Sequence, residues 1–197
     1  MEVKDILEGE SWKNAVRFHG HVCPGLAIGY KAATTAMDRL KDRRSEDEEI
    51  VTIAETNACG VDAIQTITGC TSGKGNLFIK DYGKNVFTVV SRSSGKGVRL
   101  SLKPGIMTLT PRHRELINLI RSDKATPEEI AEFRKIHVEK SHSILAQNPD
   151  DLFVVTEAAV EMPGKAIMEP SEPCGKCQEP TMPSKTVAVG DIRVCQD

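Results

Sequence analysis

Apolar residues, Ile6, Val16 and Phe18 among them, recur through residues 4–18 on a helical repeat and predict a first helix. The short stretch His19–Cys23 follows. Pro24 then suits the first turn of a second helix that runs to about Leu40, with Leu26, Ala27, Tyr30, Ala33 and Met37 apolar. Gly25 and Gly29 stand four apart in it and would let another backbone approach closely. Lys41–Glu49 carries both charge signs and no apolar side chain, which predicts a solvated connection. Ile50–Glu55 is rich in β-branched residues and predicts a strand, followed by Asn57–Gly60 and a helical run through Ile64 and Ile67. Beyond the glycine-rich loop Gly69–Asn76, the segments Leu77–Lys80, Val86–Arg92 and Val98–Leu102 predict three strands in an antiparallel meander. A helix over Arg112–Ser122 follows Pro111. Another begins at Thr126, with Pro127 first and Glu129 closing a capping box, and runs to about Gln147. Leu152–Thr156 predicts a last strand. From Met162 onward proline and glycine rise sharply, which divides the chain into residues 1–163 and a module over 164–197. The expected fold class is α+β: an antiparallel sheet packed with helices, plus a small C-terminal treble-clef or zinc-ribbon-like module.

Composition narrows the function classes. Lys plus Arg is 26 and Asp plus Glu 28, a net charge of −2 that disfavours a broad nucleic-acid surface. Aromatics are only 4 % of the 197 residues, so the core must be mostly Ile, Val, Leu and Ala. The longest apolar runs, such as Val86–Val90, are far too short to span a membrane. The acidic start MEVKDILEGE lacks an apolar signal region, and the expectation is a cytoplasmic protein. Six cysteines in that setting read as reduced thiols or metal ligands rather than structural disulfides.

The cysteines are clustered. His19, His21 and Cys23 alternate, so an extended segment would turn all three to one side. Cys23 and Cys59 both fall at helix starts, where free N–H groups favour a thiolate. Two histidines and two cysteines of this kind make a nitrogen and sulfur site for zinc. With three ligands bound, the open position would admit water or substrate. Two other readings stay open: buried cysteines acting as small hydrophobes, and a reversible Cys23–Cys59 disulfide. The loop Gly69–Asn76 lacks the spacing of a nucleotide P-loop, but Lys74 and the loop amides suit an anion or a carbonyl. Cys70 and Lys74 are accordingly expected to line the same cleft and to contact substrate. Asp62 and Gln65 share a face of the Cys59 helix and suit partners of the metal ligands. His113, His137 and His142 stand alone on predicted helices and read as surface or structural residues.

Three segments carry a resemblance: FHGHVCPGLAIGYK (Phe18–Lys31), NACGVDAIQTITGCTSGKGN (Asn57–Asn76) and the following DYGKNVFTVV. Together they resemble the E-subunit family of formylmethanofuran dehydrogenase, over residues 11 to about 160. The resemblance implies an α+β core that is often dimeric, with a metal-associated cleft built from the HGHVCPG and Cys59 motifs. It also implies a link to the tungsten or molybdenum enzyme that reduces carbon dioxide onto methanofuran, in which the formyl-transfer chemistry belongs to other subunits. On that reading Cys23 or Cys59 is the candidate nucleophile.

Cys174 and Cys177 form a CxxC knuckle, and seventeen residues separate Cys177 from Cys195. This fits zinc-site spacing, and a tail of this size would draw its folding energy from metal. Lys185–Val189 and Ile192–Cys195 predict a hairpin around Gly190-Asp191. The resemblance implies a treble-clef finger here. Its fourth cysteine would fall just after Asp197, so Asp197, a nearby histidine or water is expected to complete the site. The tail's bases, Lys176, Lys185 and Arg193, are offset by Glu179, Asp191 and Asp197, which disfavours nucleic acid as its partner.

Overall fold

The computed structural model describes residues 2–196, and Asp197 lies outside them. The chain forms two compact units, the first extending to Gly164 and the second beginning at Lys165.

In the first unit the N-terminal helical segment is interrupted. Gly9 adopts an extended backbone and separates α1 (Val3–Glu8) from α2 (Glu10–His19). The long helix α3 (Pro24–Leu40) follows, with Cys23 at its N-cap and Pro24 in its first turn. Strand β1 (Ile50–Ala54) leads through α4 (Gly60–Thr68) to β2 (Leu77–Ile79), and β3 (Val86–Ser91) and β4 (Gly97–Leu102) come next. Helices α5 (Pro111–Arg121), α6 (Pro127–Ala146) and the short α7 (Pro149–Leu152) precede β5 (Phe153–Glu157).

The sheet has the order β2-β1-β3-β4-β5 and is antiparallel except for the β1–β2 pair. The expected meander of three consecutive strands is therefore corrected. Helix α4 returns the chain to the end of the sheet where β1 began, so β2 can only run parallel to it. The next loop wraps around the end of β1: the amides of Lys80, Tyr82 and Lys84 donate to Ala54 and Glu55 carbonyls. This carries β3 to the other side of β1, between β1 and β4.

Helix α3 is the centre of the layer that covers the sheet. Leu26, Ala27, Ile28, Ala32, Ala33 and Ala36 are fully buried, and the helix packs on α4, α6, β3 and β4. Its run of small residues allows close approach. A Cβ on Gly29 would fall 2.1 Å from the Gly60 carbonyl oxygen, so the α3 and α4 backbones touch there. Leu26, Ile64, Phe87, Leu100, Leu145 and Phe153 fill the core between helices and sheet. Aliphatic side chains dominate, as the low aromatic content required.

The run Lys41–Glu49 is not merely solvated. Ser45 and Glu48 are buried, and the run lies along the C-terminal end of α4. There the Ser45 amide donates to the Thr68 carbonyl and Arg44 Nε to the Thr66 carbonyl. These are carbonyls that a helix end leaves without partners, and the polar run supplies their donors.

The second unit holds two small antiparallel ladders, β6 (Glu172–Pro173) with β7 (Pro180–Thr181) and β8 (Val187–Val189) with β9 (Ile192–Val194). The latter is the hairpin expected around Gly190-Asp191. Cys174 and Val194 are its buried apolar residues among those described.

Candidate metal centre

Helix α2 ends at His19, and Gly20 takes a left-handed backbone at φ 95° that turns the chain sharply toward α3. This turn brings His19, His21 and Cys23 together: their ligand atoms all lie within 4.8 Å of one another. His19 Nδ1 sits 2.7 Å from Asp62 Oδ2, and His19 Nε2 sits 3.5 Å from Cys23 Sγ. The carboxylate accepts the Nδ1 proton, which leaves the Nε2 lone pair aimed at the cluster. A carboxylate behind an imidazole in this way is the usual support of a histidine metal ligand. Asp62 was read from sequence as such a partner, and α4 places it there. Gln65 Nε2 donates to the other oxygen of Asp62 at 3.5 Å.

Cys59 approaches from the start of α4, beside the cluster on the cavity wall but outside the group of three. A Cβ on Gly25 would stand 3.1 Å from Cys59 Cβ and 3.7 Å from Cys59 Sγ, so a larger residue there would press the two thiol-bearing segments apart by a few tenths of an ångström. Burial pushes the Cys23 thiol up to about 11, against the opposing effect of the Leu26 amide. The expectation that a helix start would make Cys23 a thiolate is thus corrected: desolvation outweighs the amides. A metal ion reverses the balance, because coordination deprotonates the thiol. Burial, and then His19, lower the His21 pKa, which keeps that ring neutral and its lone pair available. Donor types, the neutral His21 ring and the Asp62 support of His19 all fit a borderline divalent metal.

His21, Cys23 and Cys59 line a cavity of about 380 Å³. Pro24, Met107, Leu109 and Ile117 give it apolar walls, and His113, His137 and Lys140 line it too. His113 and His137, read from sequence as surface or structural, thus belong to the cavity. His113 is only 5 % exposed, and its Nε2 lies 3.0 Å from His137 Nε2. No sequence signal joined them, because they are 24 residues apart on different helices.

Cys70 and Lys74 do not line this cavity. Cys70 is fully buried and its thiol donates to the Ile50 carbonyl. Lys74 Nζ donates to the carbonyls of Ser45 and Glu46, so it holds the polar run in place. Both follow α4, whereas the cavity lies at its beginning. Nine residues of helix put them about 14 Å farther along.

In the second unit Cys174, Cys177 and Cys195 converge. The Cys174–Cys195 and Cys177–Cys195 sulfur separations are 3.7 and 3.8 Å. Sulfurs bound tetrahedrally to one zinc at about 2.3 Å stand about 3.8 Å apart, so the cluster has the spacing of three ligands of one ion. Amides from Cys177, Cys195 and Lys176 lower the Cys174 thiol to about 6. Cys177 is pushed up to about 11: the Glu179 amide lowers it, and the hydrogen bond shared with Cys174, with desolvation, outweighs that amide. Glu179 Oε2 lies 3.5 Å from Cys177 Sγ, and the group of ligand atoms within 4.8 Å of one another comprises the three cysteines without it.

No helix is long and apolar enough to cross a membrane among the described residues. The family model for "FmdE, Molybdenum formylmethanofuran dehydrogenase operon" matches residues 18–154. A probable S-adenosyl-L-methionine-binding protein of Archaeoglobus fulgidus is 31 % identical over an alignment of 177 residues that covers 87 % of this chain and 48 % of that protein. The chain therefore spans about half the length of this curated relative. The crystal structure of a tungsten formylmethanofuran dehydrogenase FmdE-like protein from Syntrophus aciditrophicus superposes with a TM-score of 0.60 at 22 % identity, covering 97 % of this chain and 92 % of that one. This last likeness is one of fold. The family match runs from the residue before His19 to the last strand of the sheet, and the chain belongs to the FmdE family.

Proposed function

We propose that this is a cytoplasmic zinc protein of one-carbon metabolism, with one zinc in the cavity and a structural zinc in the tail. The core ligands would be Cys23, Cys59 and His21, with His19 as a further ligand or the support of one. The observation that carries the reading is the two-sided setting of His19, with Asp62 on Nδ1 and Cys23 on Nε2. Bound there, the metal would supply Lewis acidity toward a carbonyl or a water. The residues of the chain do the rest. Pro24, Met107, Leu109 and Ile117 offer an apolar wall to a substrate, and a volume of about 380 Å³ restricts that substrate to a small molecule. The family match supports association with the other components of a formylmethanofuran dehydrogenase complex, for which the zinc-bearing tail would be the docking element, and the proposal includes a homodimer.

Plasma mass spectrometry on the purified chain and on Cys23→Ser tests this reading. Two zinc ions per chain, falling to one in the variant, are expected; unchanged content would overturn the core assignment. A second reading is thiol redox chemistry, favoured by the approach of both sulfurs to Gly25, where a Cβ would stand 3.7 Å from Cys59 Sγ and 4.0 Å from Cys23 Sγ. In that case the metal content would be one, and a mild oxidant would convert both thiols to a disulfide.

A further inference from the structure

We propose that His113 and His137 form a second metal-binding pair in the core cavity, a bis-imidazole site for a borderline divalent cation such as Zn²⁺ or Ni²⁺. The pair needs no metal at the thiol-bearing cluster. The two Nε2 atoms are 3.0 Å apart. Two imidazole nitrogens bound to one ion at about 2.0–2.1 Å, at angles between square and tetrahedral, are separated by about 2.9–3.4 Å. The rings therefore already stand at the spacing of two ligands of one ion, on a cavity wall where water could complete the coordination.

Local structure holds them there. Thr110 caps α5 by accepting from the His113 amide, which fixes His113 in the first turn. Arg112 next to it grips Glu132 of α6 through two bonds of 3.1 and 2.7 Å, which locks the pitch of α5 against α6. The Phe133 ring lies 4.0 Å from the His137 ring centroid and 5.6 Å from that of His113, and so restricts both rotamers. His113 is buried and His137 half-buried, each held by contacts from the neighbouring helix.

The pair shares the cavity with the first cluster but sits on other elements: His113 and His137 belong to α5 and α6, whereas His19, His21 and Cys23 lie around the turn between α2 and α3. The chemistry is distinct as well. Burial lowers both pKa values, helped by Lys140 at His113 and by His113 and His21 at His137, so both rings are neutral. Without metal, one Nε2–H donates to the other Nε2. On binding, the donor ring carries that proton on Nδ1 instead, and no net proton leaves.

The test is ring-nitrogen magnetic resonance of the full chain labelled with ¹⁵N-histidine, as Zn²⁺ is added to saturation. The Nε2 signals of His113 and His137 should move together toward metal-bound values. At zinc saturation His137→Gln should bind one ion fewer per chain than the parent, an ion additional to the two expected in the protein as purified, and the His113 signal should then stay still. His113→Gln provides the same test from the other helix, and unchanged amide spectra certify both folds. Stationary Nε2 signals in the parent, or undiminished zinc content in both variants, would overturn the proposal. Failure of the first cluster would appear separately, in the signals of His19 and His21.

Discussion

Asp62 is the residue through which the core cluster is most simply probed. Its carboxylate orients His19 at 2.7 Å without reaching the cavity lining. Asp62→Asn should weaken core zinc binding by about 10–100-fold and leave the tail cluster unchanged, as a chelator competition would show. The three depressed histidines predict a pH dependence. His21, His113 and His137 are lowered from 6.5 in the fold, so the unfolded chain takes up their protons first. Their contribution to stability is present above about pH 6.5 and is lost as pH falls through the lower native values. The urea midpoint of the metal-free protein should drop between pH 7.5 and 5.5, and less steeply in His137→Gln. Residue roles were legible where chemistry was local. His19, His21 and Cys23 are neighbours in sequence, and a single turn at Gly20 unites them. Cys70 and Lys74 are also near Cys59 in sequence, but the rise of an intervening helix separates them from it. His113 and His137 were illegible for the opposite reason, since only the packing of α5 on α6 joins them.

Among the elements, the α3–α4 contact sets the position of both cavity thiols. Cys23 caps the start of α3, Cys59 stands at the start of α4, and the backbones meet at Gly29 and Gly60. Gly29→Ala places a methyl group against a backbone that has no free rotamer to yield. The helices must part, at a cost of about 3 kcal/mol, in the upper range for overpacking. Thermal unfolding should show the loss, and core metal binding should fall with it. Most helices were readable from caps and prolines, as the Thr126–Glu129 box at the start of α6 shows. Sheet order was not readable, because the alternation within β2 and β3 says nothing about their neighbours. That order is decided by α4 and by the loop that wraps Ala54 and Glu55.

At the scale of the whole molecule the two units differ in what holds them. The first has a continuous aliphatic core, whereas Cys174 and Val194 are the only buried apolar residues described in the second. Removing metal should therefore melt the segment from Lys165 onward and spare the first unit. Amide spectra should show tail resonances collapsing to unstructured positions on adding a chelator, with those of α3 and the sheet retained; a tail that stays dispersed would show that metal does not fold it. The mixed-charge run Lys41–Glu49 has a different consequence. It grips the carbonyl end of α4 through Arg44 and Ser45 and is itself gripped by Lys74. Cys59 rides on the opposite end of that helix. The helix is thus a tiller, moored at its stern by a strap of hydrophilic residues, and slack in the mooring would swing the thiol at the bow.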